Sequence, residues 1–256
     1  MIAALLIGRE GSVGFAGKNT HPVLGRPLML YPMLAAMHSR HVTRCYLSTD
    51  SARYKEFARG YGWRIIDRPA ALATKEALGE DAFRHGYETI RDECRAAGDP
   101  LEQLVLLFCN APTVTAGLID RGVELLRARP DADSAVTVSA YNMWSPVRAR
   151  RETADGLLQP FVPFEAMGLG DVVNCDRDSQ GDAYFADMGL SVVRPQCFER
   201  MEEGLLPQKW MGQRIAPIKQ WGGCDVDYEW QIPLVEFWLR RHGFDETKTP
   251  YDPPAG

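Results

Sequence analysis

The sequence predicts an α/β fold built on a mostly parallel sheet, and three observations carry that expectation. Ile2–Ile7 is an unbroken apolar run, which suits a strand covered on both faces. Apolar segments of helical spacing alternate with short strand-like ones as far as residue 139. The strand-like segments end in glycine-rich or polar loops, and sheets of this kind gather their functional groups at the carboxyl ends of the strands.

The first strand breaks at Gly8 and a glycine-rich loop follows. The spacing predicts a helix over 28–39 despite Pro32, then a second strand over Arg44–Thr49 that stops at Asp50 and Ser51, completing a βαβ unit. The same pattern places a helix over 52–61, a short strand over 64–66, a helix over 80–97, and an apolar strand over 104–108 that halts at Cys109-Asn110-Ala111-Pro112. A helix over 116–129 and a strand over 134–139 come next. Residues 141–182 lose this regularity and carry Trp144, Pro146, Pro160 and Pro163, so hairpins or an extension from the sheet are expected there. Regular structure resumes with a strand over 189–193, a short helix after Pro195 and a last helix over 230–242. The chain therefore divides into a core over 1–140, an extension over 141–182, a completion of the core over 183–246, and a proline-containing surface tail over 247–256.

Composition narrows the function. At 256 residues and 45% hydrophobic content the chain can bury one sizeable core. A balance of 29 basic against 34 acidic residues, net charge -5, argues against a nucleic-acid-binding face but leaves room for a local anion site. No stretch approaches the roughly 18–20 consecutive apolar residues of a membrane span, and the opening residues lack a signal peptide's basic start and small-residue cleavage site. The six cysteines are scattered without a CxxC pair, which fits a reducing cytoplasm.

Between Gly8 and Asn19 stand four glycines together with Arg9, Ser12 and Lys18. A polyphosphate needs such a set: glycines bring backbone N–H groups close to phosphate oxygens, and the two cations oppose the charge. The P-loop register is absent, since Asn19 rather than Ser or Thr follows Lys18, and so is GxGxxG. Near the other end Asp225 and Asp227 stand two apart. On extended backbone that spacing puts both carboxylates on one face, where they can share a Mg²⁺ ion, although Asp227 also suits the cap of the last helix.

These motifs resemble those of a known family. Arg9, Ser12, Gly17, Lys18 and Asn19, followed by Gly25-Arg26-Pro27-Leu28, are similar to the signature of sugar-activating nucleotidyltransferases. Leu47-Ser48-Thr49-Asp50-Ser51 resembles their "STDS" strand end, Arg68-Pro69-Ala70-Ala71-Leu72-Ala73 their "RPxxLA" segment, and Gly222-Gly223-Cys224-Asp225-Val226-Asp227 the region of their metal-binding aspartates. The nearest resemblance is to the acylneuraminate cytidylyltransferases. It implies a Rossmann-like three-layer α/β/α nucleotidyltransferase (GT-A-like) sheet, with the extension as a dimerisation arm of a homodimer. It implies Mg²⁺-dependent transfer of CMP from CTP to an acidic sugar, a 3-deoxy-2-ulosonic acid such as a nonulosonate, with release of pyrophosphate. Arg9 and Lys18 would neutralise phosphates, Gly11, Ser12, Asn19, Arg68 and Gly79 would hold the nucleotide, and Asp225 and Asp227 the metal. Asn110, Arg148 with Gln159 nearby, and Asp187 are the candidates for meeting the acceptor.

Two departures keep alternatives open. Residues 108–114 lack the glutamine and arginine that sialate enzymes carry in that loop, and Gly79 stands where a base-contacting serine is common. A phosphonate or sugar phosphate acceptor, another nucleotide, or a catalytically weak homologue acting as a binding subunit therefore remain as readings of the sequence.

Overall fold

The apolar run that opens the sequence lies at the centre of the sheet, with a strand on each side. The computed structural model describes residues 1–11, 14–168 and 173–253. In chain order its elements are β1 (Ile2–Ile7), β2 (Pro22–Val23), β3 (Arg26–Pro27), α1 (Leu30–Met37), β4 (Arg44–Thr49), α2 (Ala52–Gly60), β5 (Arg64–Asp67), α3 (Gly79–Ala96), β6 (Gln103–Phe108), α4 (Ala116–Ala128) and β7 (Ser134–Ala140). There follow β8 (Arg150–Glu152), β9 (Leu158–Pro160), β10 (Tyr184–Val193), α5 (Gln196–Glu199), β11 (Ile215–Gln220) and α6 (Ile232–Arg241), with short 3-10 turns between several of them.

Seven strands form one sheet in the order β11-β7-β10-β6-β1-β4-β5. β10 runs antiparallel to β6 and β7, and the remaining pairs are parallel. Successive residues of β1 point to opposite faces, so its residues serve two cores. Ile2, Ala4 and Leu6 meet the buried sides of α1, α4 and α6, while Ala3, Leu5 and Ile7 meet α3 through Phe83, Tyr87 and Ile90. This is the three-layer α/β/α arrangement expected from the sequence. Among the described residues no helix is long and apolar enough to cross a membrane.

Three features depart from the sequence reading. The strand expected over 189–193 is the second half of a longer one, β10, whose register with β7 shifts between Ala186 and Ser191, with Met188 at φ 61° inside the shift. β11 had no sequence signal because Pro217 interrupts its pattern; it lies at the sheet edge, where a missing N–H leaves no neighbour unsatisfied. Residues 247–253 are not a free tail: the Tyr251 ring stacks on His38 at 4.4 Å and lies edge-on to Phe244, and its hydroxyl accepts the Ala116 N–H at 3.0 Å. Within the extension, β8 and β9 form a hairpin pairing Arg151 with Gln159.

The connections place the site. From β1 the chain passes to β4 and β5 on one side and then to β6 on the other, so the loops after β1 and β6 leave the sheet in a crevice of the kind that binds nucleotides. α3 must approach β1 closely to line it, and Gly86 permits this: a Cβ there would stand 2.5 Å from Leu5 Cδ2. Gly86→Val should cost about 1–3 kcal/mol of stability through overpacking, read as a lower denaturant midpoint; an unchanged midpoint would contradict the packing.

Candidate active site

The loops after β1, β4, β5, β6 and β11 emerge at one end of the sheet, and those after β1, β5 and β6 line a cleft of about 220 Å³ with Arg9, Lys18, Asn19, Arg68, Gly79 and Asn110, among others. Gly8 lets the first loop start low, since a Cβ there would stand 2.4 Å from Cys109 Sγ. The loop is then pinned to the β4 end: Gly8 N–H donates to the Ser48 carbonyl at 3.3 Å and Glu10 N–H to Asp50 Oδ1 at 3.1 Å. Ser51 caps α2 by accepting the Tyr54 N–H at 3.4 Å, so three residues of the Ser48–Ser51 motif have separate tasks.

Arg68 is buried, and its guanidinium donates to the Ser48 carbonyl at 2.6 Å and the Ser48 hydroxyl at 3.3 Å. Burial holds its pKa below the ordinary guanidinium range, because neither acceptor is charged. Asn19 is buried beside it and its Oδ1 has no hydrogen-bond partner, leaving an acceptor on the cleft wall. Gly79 begins α3, whose first N–H groups lack a side-chain cap. Leu72, Leu78 and Phe108 form an apolar wall that no sequence motif marked. Cys109 lies under the cleft with its thiol pushed up to about 12 by burial, which excludes it as a nucleophile at neutral pH.

The cationic and acidic halves of the site meet directly. Lys18 Nζ donates to Asp227 Oδ1, with the lysine side chain 11% and the aspartate side chain 56% exposed, so Asp227 still faces solvent. Asp225 is half-buried, and its carboxyl is held above the usual carboxylate range first by burial and then by the charge of Asp227, with Lys18 opposing both. Asp227 is not a helix cap; Tyr228 holds the cap position and Gln231 Oε1 accepts the N–H groups of both residues, at 2.7 and 2.8 Å. Asn110 is placed differently from an acceptor-binding group. Its backbone carbonyl accepts the Val226 N–H at 2.8 Å and its amide donates to the Val226 carbonyl at 3.1 Å, with Asp225 Oδ2 and Asp227 Oδ1 at 3.4 and 3.5 Å.

The other residues singled out from the sequence lie elsewhere. Gly11 stands in the first loop at φ 81°, accepting from Arg9 at 3.2 Å, and Ser12 lies outside the described residues. Arg148 and Gln159 do not line the cleft: Arg148 donates to the Cys175 carbonyl at 3.0 Å inside the extension, and Gln159 sits on β9 opposite Arg151. Asp187 is only 5% exposed and its carboxylate accepts from Ser139, Gln220 and the Gly189 N–H, so it is committed inside the protein rather than presented to a sugar.

Asp225 and Asp227 suit a hard divalent cation. Mg²⁺ needs only one or two protein carboxylates when phosphates and water complete its shell, and among the described residues no larger group of metal-ligating side chains occurs.

Known proteins resemble the chain in sequence and in fold. Residues 3–83 match the family model described as cytidylyltransferase. The chain is 27% identical over 146 residues to the N-acylneuraminate cytidylyltransferase of Escherichia coli, a match covering 57% of this chain and 33% of that protein. It is 25% identical over 130 residues to an 8-amino-3,8-dideoxy-manno-octulosonate cytidylyltransferase of Shewanella baltica, covering 50% and 49%. The chain thus spans half or less of the length of these curated relatives. Two solved structures share the fold: CMP:2-keto-3-deoxy-manno-octonic acid synthetase complexed with CTP, at TM-score 0.63 and 14% identity over 94% of this chain and 98% of that one, and 4-diphosphocytidyl-2C-methyl-D-erythritol synthase from Anaerococcus prevotii, at 0.62 and 11% over 94% and 96%.

The raised pKa of Asp225 has a consequence for stability. The folded chain binds that proton more tightly than the unfolded chain, so stability is present below the unfolded pKa and is lost as the pH rises through the folded one. Asp225→Asn should therefore raise Tm at pH 7, with a smaller gain as the pH falls toward the carboxylate range. A Tm at or below that of the unsubstituted chain at pH 7 would contradict the assignment.

Proposed function

We propose that this chain, whose residues 3–83 match the cytidylyltransferase family model, transfers CMP from CTP to the hydroxyl of an acidic sugar and releases pyrophosphate. The observation that carries the reading is the meeting of Lys18, which lines the cleft, with Asp227 beside it, and with Asp225 two residues away on the same loop. The acceptor oxygen attacks the α-phosphorus, the bond from that phosphorus to the β-phosphate bridge breaks, pyrophosphate leaves, and the hydroxyl proton passes to solvent. Lys18 and Arg9 oppose the charge gathering on the leaving group, which is where fixed cations accelerate a transfer most. Lys18 would exchange Asp227 for a phosphate oxygen, which would leave Asp227 free to hold a cation. A Mg²⁺ held by Asp225 and Asp227 would supply further charge neutralisation at the phosphates. Arg68, the Asn19 Oδ1 and the uncapped start of α3 offer the base donors and acceptors beside an apolar wall.

An acidic acceptor such as a 3-deoxy-2-ulosonic acid is supported by the activities named for the sugar-acid cytidylyltransferases that the chain resembles. The altered loop over 108–114 favours including phosphonates and sugar phosphates among the acceptors tested. Incubation with Mg²⁺, each of the four ribonucleoside triphosphates and such a panel should give pyrophosphate with CTP; release with another nucleotide alone would remove the cytidyl assignment, and none with any pair would overturn the transfer reading. Lys18→Ala should lower kcat by about 100-fold or more while leaving the fold intact, and a near-normal rate would contradict its role.

The extension presents Trp144, Leu158 and Phe161, each more than half exposed, and this supports its reading as the dimerisation arm of a homodimer. A cytoplasmic location is supported by the six cysteines, all free. Analytical ultracentrifugation should give a two-chain mass that Trp144→Asp with Phe161→Asp reduces to one; a monomeric unsubstituted chain would overturn the arm assignment.

A further inference from the structure

The backbone over 222–228 carries both acidic residues without belonging to a helix or strand until the turn that follows, and it is held almost entirely by side chains from elsewhere. The Thr113 hydroxyl accepts the Cys224 N–H at 2.9 Å and donates to the Cys224 carbonyl at 3.1 Å. The Tyr141 hydroxyl donates to the Gly223 carbonyl at 2.8 Å, and Ser139 Oγ accepts the Gly223 N–H at 3.0 Å. Gln231 Nε2 donates to the Asp225 carbonyl at 3.1 Å.

Behind this frame lies Asp187. Its Oδ2 accepts from the Ser139 hydroxyl and from Gln220 Nε2, both at 2.8 Å, and its Oδ1 accepts the Gly189 N–H at 3.2 Å. All three donors are neutral, so the buried carboxylate gains hydrogen bonds but no opposite charge, an unfavourable arrangement if folding alone were served. Gly223 leans on this carboxylate so closely that a Cβ there would stand 2.2 Å from Asp187 Oδ2. The register shift in β10, with Met188 at positive φ beside it, accompanies an Asp187 side chain that meets the β7 and β11 ends instead of solvent.

We infer that Asp187 is a positioning residue that, through Ser139 and Gln220, sets the register of the loop carrying Asp225 and Asp227. This rests on the transfer reading only in what that loop is for. Because the Ser139 proton is directed at Asp187, the Ser139 lone pairs face the Gly223 N–H, and the path of the next four residues follows. An asparagine would bring one acceptor oxygen and two N–H donors to a place where three donors converge, so one contact would become a repulsion. Groups that orient ligating side chains from behind typically alter metal affinity on substitution by about 10–100-fold.

The test measures Mn²⁺ binding by electron paramagnetic resonance for the unsubstituted chain, Asp187→Asn and Ser139→Ala, with Mn²⁺ alone and with CTP added. Asp187→Asn should weaken Mn²⁺ binding by about 10-fold or more, and Ser139→Ala in the same direction by less, while the affinity for CTP without divalent cation changes by no more than about two-fold. Unaltered Mn²⁺ affinity in folded Asp187→Asn overturns the inference; so does unaltered affinity in Ser139→Ala if the asparagine variant fails to fold, and so does an unsubstituted chain that binds no Mn²⁺. If the unsubstituted chain releases no pyrophosphate yet the Mn²⁺ shift is found, the transfer reading fails and the positioning role stands. Pyrophosphate release without the shift has the opposite meaning.

Discussion

The ion pair between Lys18 and Asp227 joins residues 209 apart in sequence, and the arrangement of the cleft depends on it. Two carboxylates brought together at a strand end repel each other, and Asp225, being half-buried, bears that repulsion in the folded state. Lys18 lowers the cost from the opposite side. The first loop can reach the last one because it is glycine-rich: a Cβ on Gly14 would stand 2.9 Å from the Asp227 carbonyl oxygen. The glycine-rich loop and the acidic pair are thus one structure, in which each half supplies the counter-charge of the other.

This arrangement is stable because uncharged scaffolding surrounds it. Arg68, Asp187 and Asp225 are each withdrawn from solvent without an opposite charge in direct contact, and hydrogen bonds to serines, amides and backbone groups hold them. Such groups oppose folding, and the two apolar cores on either side of the sheet offset them. Stability is given up where the chemistry needs charge in a poorly solvated place, the usual relation between an active site and its fold.

Much of this was legible in the sequence because it rests on local pattern. β1 and β6 are near-continuous apolar runs covered on both faces, β4 and β7 are mostly buried strands of mixed composition, and α2, α3 and α4 follow helical periodicity. Arg9, Lys18, Asp225 and Asp227 are residue types whose charge suggested their use, Asn19, Arg68 and Gly79 followed from a family resemblance, and the structure brings these residues together in or beside one cleft. What escaped is settled by tertiary position. Pro217 hides β11 because a strand's tolerance of proline depends on its being at an edge, and Tyr251 turns an expected tail into a packed segment through a ring that local sequence does not mark. Asp187 was expected to face a sugar, yet only the register shift in β10 shows that its carboxylate faces inward. Leu72 and Leu78 are ordinary apolar residues until the loop before α3 folds over the cleft.

We propose that one cleft exchanges an internal ion pair for a nucleotide. A crystal structure with CTP and Mg²⁺ tests it most directly. Lys18 Nζ should have left Asp227 for a phosphate oxygen, with both aspartates on the cation and the base beside Arg68 and Gly79. A nucleotide bound elsewhere, with the Lys18–Asp227 pair unbroken, would contradict the account.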